Sequence, residues 1–389
     1  MNNSKLIFAL LFFFICSCGE SPASEPTPDD NTTEHPEDNN PGENPDETPG
    51  ENPDETPGEN PDETPGENPD LSALVGFACV SAAPTGGQDG EEVVVETAAQ
   101  LTSALKRADN VIIYIKGVIE VSNIISVQAK NKTLIGLSGS ALENNNRTKS
   151  GSGILYFKPG SENIILRNLT FNSAGAYDCD GRDNLCIDKT CRIWVDHCDF
   201  RDGVDGNFDA KNQSDEITVS WCRFRYLKEP LAGGSGGSDD HRFSCLWGNS
   251  DNATADQGKL RTTFLNCWFD EGCRDRMPRV RFGHVHIANC LYSSSVASHC
   301  VVAGHEANVY VQNSVFKNMK HDKVTSSKLS DIKGKLMFDG CLFPEKFVMS
   351  ERSPQNGTLP DSYSLNLVSA EEVEALVTEG AGATLDIKK

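Results

Sequence analysis

Basic residues are missing from one long stretch of the sequence: residues 19–70 contain no Lys or Arg. The same stretch has eighteen Asp and Glu and no aromatic side chain. It has nothing with which to build a core, and its like charges repel, so an extended, solvated linker is expected there. Long hydrophobic runs are also scarce. Only Leu6–Ile15 forms one, and ten residues are too few to span a bilayer. A membrane protein with several spans is thereby excluded. No Lys/Arg stripe interleaved with aromatics is present, so nothing argues for nucleic acid as a partner. The cysteines lack the compact two-pair spacing of a structural zinc site.

What is present divides the chain into three parts. Residues 1–18 place Lys5 ahead of the apolar run, as in a signal peptide, and end in Ile15-Cys-Ser-Cys-Gly19, which resembles a bacterial lipobox. Cys18 follows the small residue Ser17 and is the expected lipidation site; a cleaved signal without lipid is the alternative. The expected location is a bacterial membrane-anchored lipoprotein, at the outer membrane or cell surface, or else a secreted or periplasmic protein. From Pro41 the linker reads Pro-Gly-Glu-Asn-Pro-Asp-Glu-Thr three times and then breaks off at Asp70. Its 52 residues would reach roughly 40 Å as a coil and about 160 Å in polyproline form. Residues 71–389 keep only -5 of the formal charge of -22, and their composition is that of a folded domain.

That domain repeats. Seven segments end alike, at Phe171, Phe200, Phe224, Phe269, Tyr292, Phe316 and Phe343, with apolar residues five and seven positions earlier in almost every case and Cys, Ser or Leu two positions earlier. The aromatics are 29, 24, 45, 23, 24 and 27 residues apart. A unit of about 24 residues made of short strands cannot bury its own apolar face but can stack on its neighbours, the logic of a parallel β-helix. The 45-residue interval holds either one coil with a long excursion or two coils. A β-sandwich, with strands every 8–12 residues, fits the repeat poorly. Thr97-Ala-Ala-Gln100 and Ser369-Ala-Glu-Glu372 each read as a capping box opening a short helix, which would cover an end of the stack. A single all-β domain, expected to be monomeric, follows.

The register then gathers polar residues. Cys198, Cys222, Cys267, Cys290 and Cys341 share the position two before the aromatic, so they should form an inward ladder, mostly reduced. Cys179, Cys186, Cys191, Cys245, Cys273 and Cys300 lie off it and could pair. Asp183 is 17 residues before Phe200, Asp205 and Asp209 are 19 and 15 before Phe224, and Arg276 is 16 before Tyr292. Equal offsets in a stack mean one face. Three carboxylates there would repel unless a cation lay between them, and an all-oxygen cluster suits Ca²⁺; solvated loop carboxylates are the plainer alternative. Arg276-Met-Pro-Arg279-Val-Arg281 crowds three guanidinium groups beside them. His197, His284 and His286 sit inside strand motifs and read as structural hydrogen-bonding groups.

Ile193-Trp-Val-Asp-His197, Asp205-Gly-Asn-Phe-Asp209, Ser214-Asp-Glu-Ile-Thr-Val-Ser-Trp221 and Arg276-Met-Pro-Arg-Val-Arg-Phe-Gly-His-Val-His-Ile-Ala-Asn289 occur in this order. Together they resemble the pectate lyases of polysaccharide lyase family 1, over roughly Val75 to Phe347. The resemblance implies a right-handed parallel β-helix and Ca²⁺-dependent β-elimination of de-esterified polygalacturonate. It further implies that Asp183, Asp205 and Asp209 bind Ca²⁺, that Arg276 is the base, and that Lys228 and Arg281 bind substrate. Phe224-Arg-Tyr-Leu-Lys228 is one residue shorter than the family pattern. A guanidinium is an awkward base because it normally stays protonated; neighbouring cations would lower its pKa, which implies an alkaline optimum. Two other functions compete. A polygalacturonase-type hydrolase would carry Gly-His-Gly and Arg-Ile-Lys motifs, and both are absent. A non-catalytic pectin-binding β-helix would have no need of the intact Asp and Arg set.

Overall fold

A computed structural model of the chain describes residues 74–326, 332–344 and 356–389. The expected signal segment, Cys18 and the acidic repeat lie outside the described residues. From Val111 onward, nearly every turn of the chain contributes one strand to each of three parallel sheets of ten, eight and seven strands. The ten-stranded sheet runs from Glu91–Val95 to Lys335–Asp339, the eight-stranded sheet from Val118–Glu120 to Val315–Phe316, and the seven-stranded sheet from Ile125–Val127 to Val302–Ala303. This is a parallel β-helix, as the repeat spacing requires.

The repeated offsets in the sequence turn into contacts. Phe171, Phe200, Phe224, Phe269, Tyr292, Phe316 and Phe343 stack ring on ring through the core at centroid separations of 4.3–5.4 Å. One step earlier each coil must turn from the ten-stranded into the eight-stranded sheet, and it does so through a single left-handed residue three before the aromatic. Asn168, Asn266, Asn289 and Asn313 occupy that position at φ 57, 54, 48 and 44°. Asn tolerates this region better than other side chains do, and Gly340 fills the same place at φ 61°. His197 and Trp221 also sit there, at φ 46 and 51°, and stack on each other at 5.5 Å.

Cys198, Cys222, Cys267 and Cys290 point inward next to the bend and are fully buried. Their thiols donate weakly to main-chain carbonyls, such as Cys198 to Asp196 at 3.3 Å and Cys290 to Ala288 at 3.4 Å. Burial pushes the Cys222 and Cys290 thiols well up, which keeps them protonated. All twelve cysteines of the described residues are free thiols, so Cys179, Cys186, Cys191, Cys245, Cys273 and Cys300 do not pair.

The 45-residue interval is one coil with an excursion. Ala210 pairs with Trp247 and Ile217 with Thr262, so the coils on either side of residues 226–245 are direct neighbours. Helix α1, Ala98–Leu105, is opened by Thr97, whose hydroxyl accepts from the Gln100 N–H, and buries Leu101, Ala104 and Leu105 over the first coil. Helix α2, Ala370–Gly380, has the full Ser369/Glu372 capping box. It does not cover the last coil. Its Ala370, Val373 and Val377 pack on Leu291, Val315 and Trp268, on the flank of the eight-stranded sheet, because alternate side chains there face outward and supply a second apolar surface. Ahead of the first strand, residues 74–87 cross the outer face of the ten-stranded sheet, where Phe77 and Ala78 donate main-chain N–H groups to Thr263 and Thr218. A Cβ on Gly76 would lie 2.6 Å from Thr263 Oγ1, at φ 84°.

Candidate active site

The site lies on the outer face of the seven-stranded sheet. Along Leu185–Asp188, Phe208–Lys211, Leu246–Trp247 and Arg279–Val280, the residues Leu185, Ile187, Phe208, Ala210, Trp247 and Val280 enter the core. Strand alternation therefore turns Cys186, Asp209, Lys211 and Arg279 outward. Cys186 pairs in register with Asp209, and Leu246 with Arg279. Asp183 and Asp205 sit in the turns that lead into the first two of these strands.

The three carboxylates are brought together. Gly206 lies between two of them: a Cβ there would come 2.8 Å from Asp183 Oδ1 and 3.4 Å from Asp209 Oδ1. Beneath them an inward amide ladder fixes the turns, with Asn184 Nδ2 donating to Asn207 Oδ1 at 3.0 Å. Asp183 is 7% exposed, and its Oδ1 is buried without a hydrogen bond. Burial, then Asp209 and Asp205, push its carboxyl well above the usual range, against the pull of Lys211 and Arg276. Asp209 is pushed up to about 6 by burial and Asp205, although Arg276 and the Leu246 N–H favour its charged form. Carboxyls pushed up by burial and by one another, one with a buried oxygen lacking any partner, suit a hard divalent cation.

Arg276 enters from the turn before Arg279–Val280, in the left-handed region at φ 58°. Its guanidinium lies 4.4 Å above the Phe243 ring, and its field reaches Asp183 and Asp209. Arg281 ion-pairs with Asp251 and donates to the Gly248 carbonyl at 2.7 Å. The crowding of cations expected from the sequence acts visibly on Arg279, lowered to about 10 by burial first and then by Arg281 and Arg276. Lys228 donates to the Ser173 carbonyl, and its main-chain N–H donates to Asp202 at 2.9 Å.

Sequence reading missed Lys211. Burial pulls its ammonium down, but Cys186, Asp183, Asp188 and Asp209 outweigh that and hold it up, and its Nζ lies 5.3 Å over the Tyr156 ring. The available signal was its place two residues after Asp209, the strand period that returns a side chain to the same face. The three histidines are occupied elsewhere: His197 meets Asp196 at 2.8 Å, His284 meets the Thr358 carbonyl at 2.8 Å, and His286 meets Tyr363 at 3.1 Å.

A pectate lyase family model matches residues 67–385. The chain belongs to the pectate lyase family. Probable pectate lyase B of Aspergillus flavus is 30% identical over 324 residues, covering 80% of this chain and 89% of that relative. A pectate trisaccharide-lyase of Thermotoga maritima is 34% identical over 235 residues, 56% of this chain and 57% of its own. Among solved structures, a pectate lyase bound to a hexasaccharide aligns at TM-score 0.65 and 21% identity, covering 82% of this chain and 98% of its own. That likeness supports the parallel β-helix. As a pectate lyase the chain is a polysaccharide lyase, and its outward carboxylate and arginine cluster lies on one continuous sheet face along which a polysaccharide can run.

Proposed function

We propose that the chain cleaves de-esterified α-1,4-polygalacturonate by Ca²⁺-dependent β-elimination, with Asp183, Asp205 and Asp209 holding the ion. The observation that carries this reading is the buried, unpartnered Asp183 Oδ1 beside Asp209 and Arg276. Bound there, calcium would withdraw charge from the uronate carboxylate and so acidify the C5 proton. Arg276 accepts that proton. The C5–H electrons form the C4=C5 double bond, the C4–O bond breaks, and the leaving oxygen takes a proton from water. Arg281, Lys228 and Lys211 bind uronate carboxylates as cationic donors, and Arg279 keeps the local potential positive, which favours the carbanion-like state.

The test is a chelator-controlled assay on polygalacturonate beside methylated pectin. Ultraviolet-absorbing unsaturated ends that vanish in chelator and return with calcium support the reading. Reducing ends without that chromophore would mean hydrolysis. Arg276→Lys is expected to lower turnover by about a hundred- to ten-thousandfold while sparing calcium binding, and retained turnover removes Arg276 from the role. We also propose export and lipid anchoring at Cys18. Labelled fatty acid should be incorporated into the wild-type chain and not into Cys18→Ser.

A further inference from the structure

Residues 226–245 leave the regular coil, and their Asp239-Asp-His-Arg242 stretch has no part in the chemistry described so far. The excursion is nevertheless tightly seated. Asp178 receives main-chain N–H groups from Gly236 at its carbonyl and from Ser238 at Oδ2, both at 2.7 Å. Gly236 has no room for a side chain, since a Cβ would fall 1.9 Å from Asp178 Oδ1. Arg274 donates to the Asp240 carbonyl at 2.6 Å, and Asp240 ion-pairs with Arg242 at 2.6 Å. Together these contacts deliver one imidazole. His241 is 7% exposed, with Nε2 3.1 Å from Asp205 Oδ1 and Nδ1 3.4 Å from Asp178 Oδ1. Both ring nitrogens are buried and complete no hydrogen bond, so the two carboxylates are near neighbours of the ring and not hydrogen-bonded partners.

The three donors lie within 4.8 Å of one another, a spacing that could admit an ion. A direct ligand would use one ring nitrogen only, whereas both nitrogens of this imidazole face carboxylates, an arrangement that suits a bridging donor better. We propose instead that His241 is a positioning residue for the cation site: lying against Asp178, the ring needs only a small turn for Nε2 to donate to Asp205 Oδ1, which leaves the other Asp205 oxygen directed at the ion shared with Asp183 and Asp209. The proposal rests on the calcium assignment above. Asp205 needs such a brace. Its side chain is 31% exposed whereas Asp183 is 7% exposed, so it has more rotamer freedom to lose when it binds. Groups that orient metal-binding carboxylates in this way typically contribute ten- to a hundredfold in metal affinity.

The experiment is calorimetric titration of Ca²⁺ into the full chain, with no substrate present, for wild type, His241→Ala, His241→Gln, Asp178→Asn and Asp183→Asn. His241→Ala should weaken calcium about ten- to a hundredfold, and His241→Gln, whose amide can still donate to Asp205, should recover most of the loss. Asp178→Asn should weaken it by less. In kinetics, the half-saturating calcium concentration should rise for His241→Ala while kcat at saturating calcium persists, a split that general loosening of the fold would not produce. Normal calcium affinity in His241→Ala, with affinity lost in Asp183→Asn, overturns the role of His241 and leaves the calcium site standing. Normal affinity in both overturns the site itself. Tight Zn²⁺ binding that His241→Ala abolishes, with calcium unaffected, would make His241 a direct ligand and also overturn the proposal.

Discussion

The Asp209 carboxyl, ordinarily near 3.8, is raised to about 6 because burial and Asp205 outweigh the help of Arg276 and the Leu246 N–H. The cation-free fold therefore binds a proton that the unfolded chain has released. Between about pH 4 and pH 6 the folded state is the more protonated, so stability falls as pH rises through that window and stays reduced above it. A divalent ion offsets the loss where the carboxyls are ionised. Melting temperature without calcium should drop from pH 4 to pH 6.5, and calcium should restore it only at the upper end. Calcium affinity should weaken by up to roughly tenfold per pH unit below 6, because binding displaces a proton. A calcium-free melting temperature that is flat or rising over pH 4–6.5 would contradict this. The same crowding acts on the basic side, where burial first and then Arg281 and Arg276 lower Arg279 to about 10.

At the scale of strands, each coil depends on its neighbours through two internal columns. The aromatic column packs rings of adjacent coils nearly parallel, with Phe200 and Phe224 tilted by 8°. Phe224 touches rings on both sides and is fully buried. Phe224→Ala should cost about 3–5 kcal/mol, measured by chemical denaturation, because the coils above and below cannot both collapse into the gap. The left-handed bend is the second dependency, and Asn is used there for more than its backbone tolerance. Asn168 donates to the Leu385 carbonyl at 2.9 Å, and Asn289 and Asn313 donate to that of Val368 at 3.0 and 2.8 Å. The bend residues thus double as a rail for the returning C-terminal segment.

Across the whole molecule, that segment is a strap. It seats α2 on Leu291 and Val315, passes Trp221, whose carbonyl accepts the Gly382 N–H at 2.8 Å, and ends with Ile387 against Ile112, Tyr114, Ile135 and Leu137. Burial of Val373 and Val377 contributes about 1.5–3 kcal/mol each. Truncation after Val368 should lower the melting temperature markedly yet leave calcium affinity intact, because the strap runs on the flank and the carboxylates lie on a different sheet. A parallel fall in calcium affinity would show that strap and site are coupled.

The sequence alone determined the coil. The aromatic offsets and the apolar residues five and seven positions earlier specify strand, bend and stacking, since period-2 alternation and a fixed repeat leave few other ways to bury those faces. It also placed Asp183, Asp205, Asp209 and Arg276 on one side of the stack, because similar offsets in a solenoid become neighbours. Only the tertiary structure decided matters that depend on what lies outside the repeat. Residues 226–245 have no register, so nothing in their spacing shows that His241 reaches Asp205. Helix α2 carries the same capping signals wherever it packs, so its place on the flank rather than over the last coil was decided by Leu291, Val315 and the asparagine rail. Lys211 was visible as a residue type, but its role depends on burial among four acidic groups, a property of the folded surface.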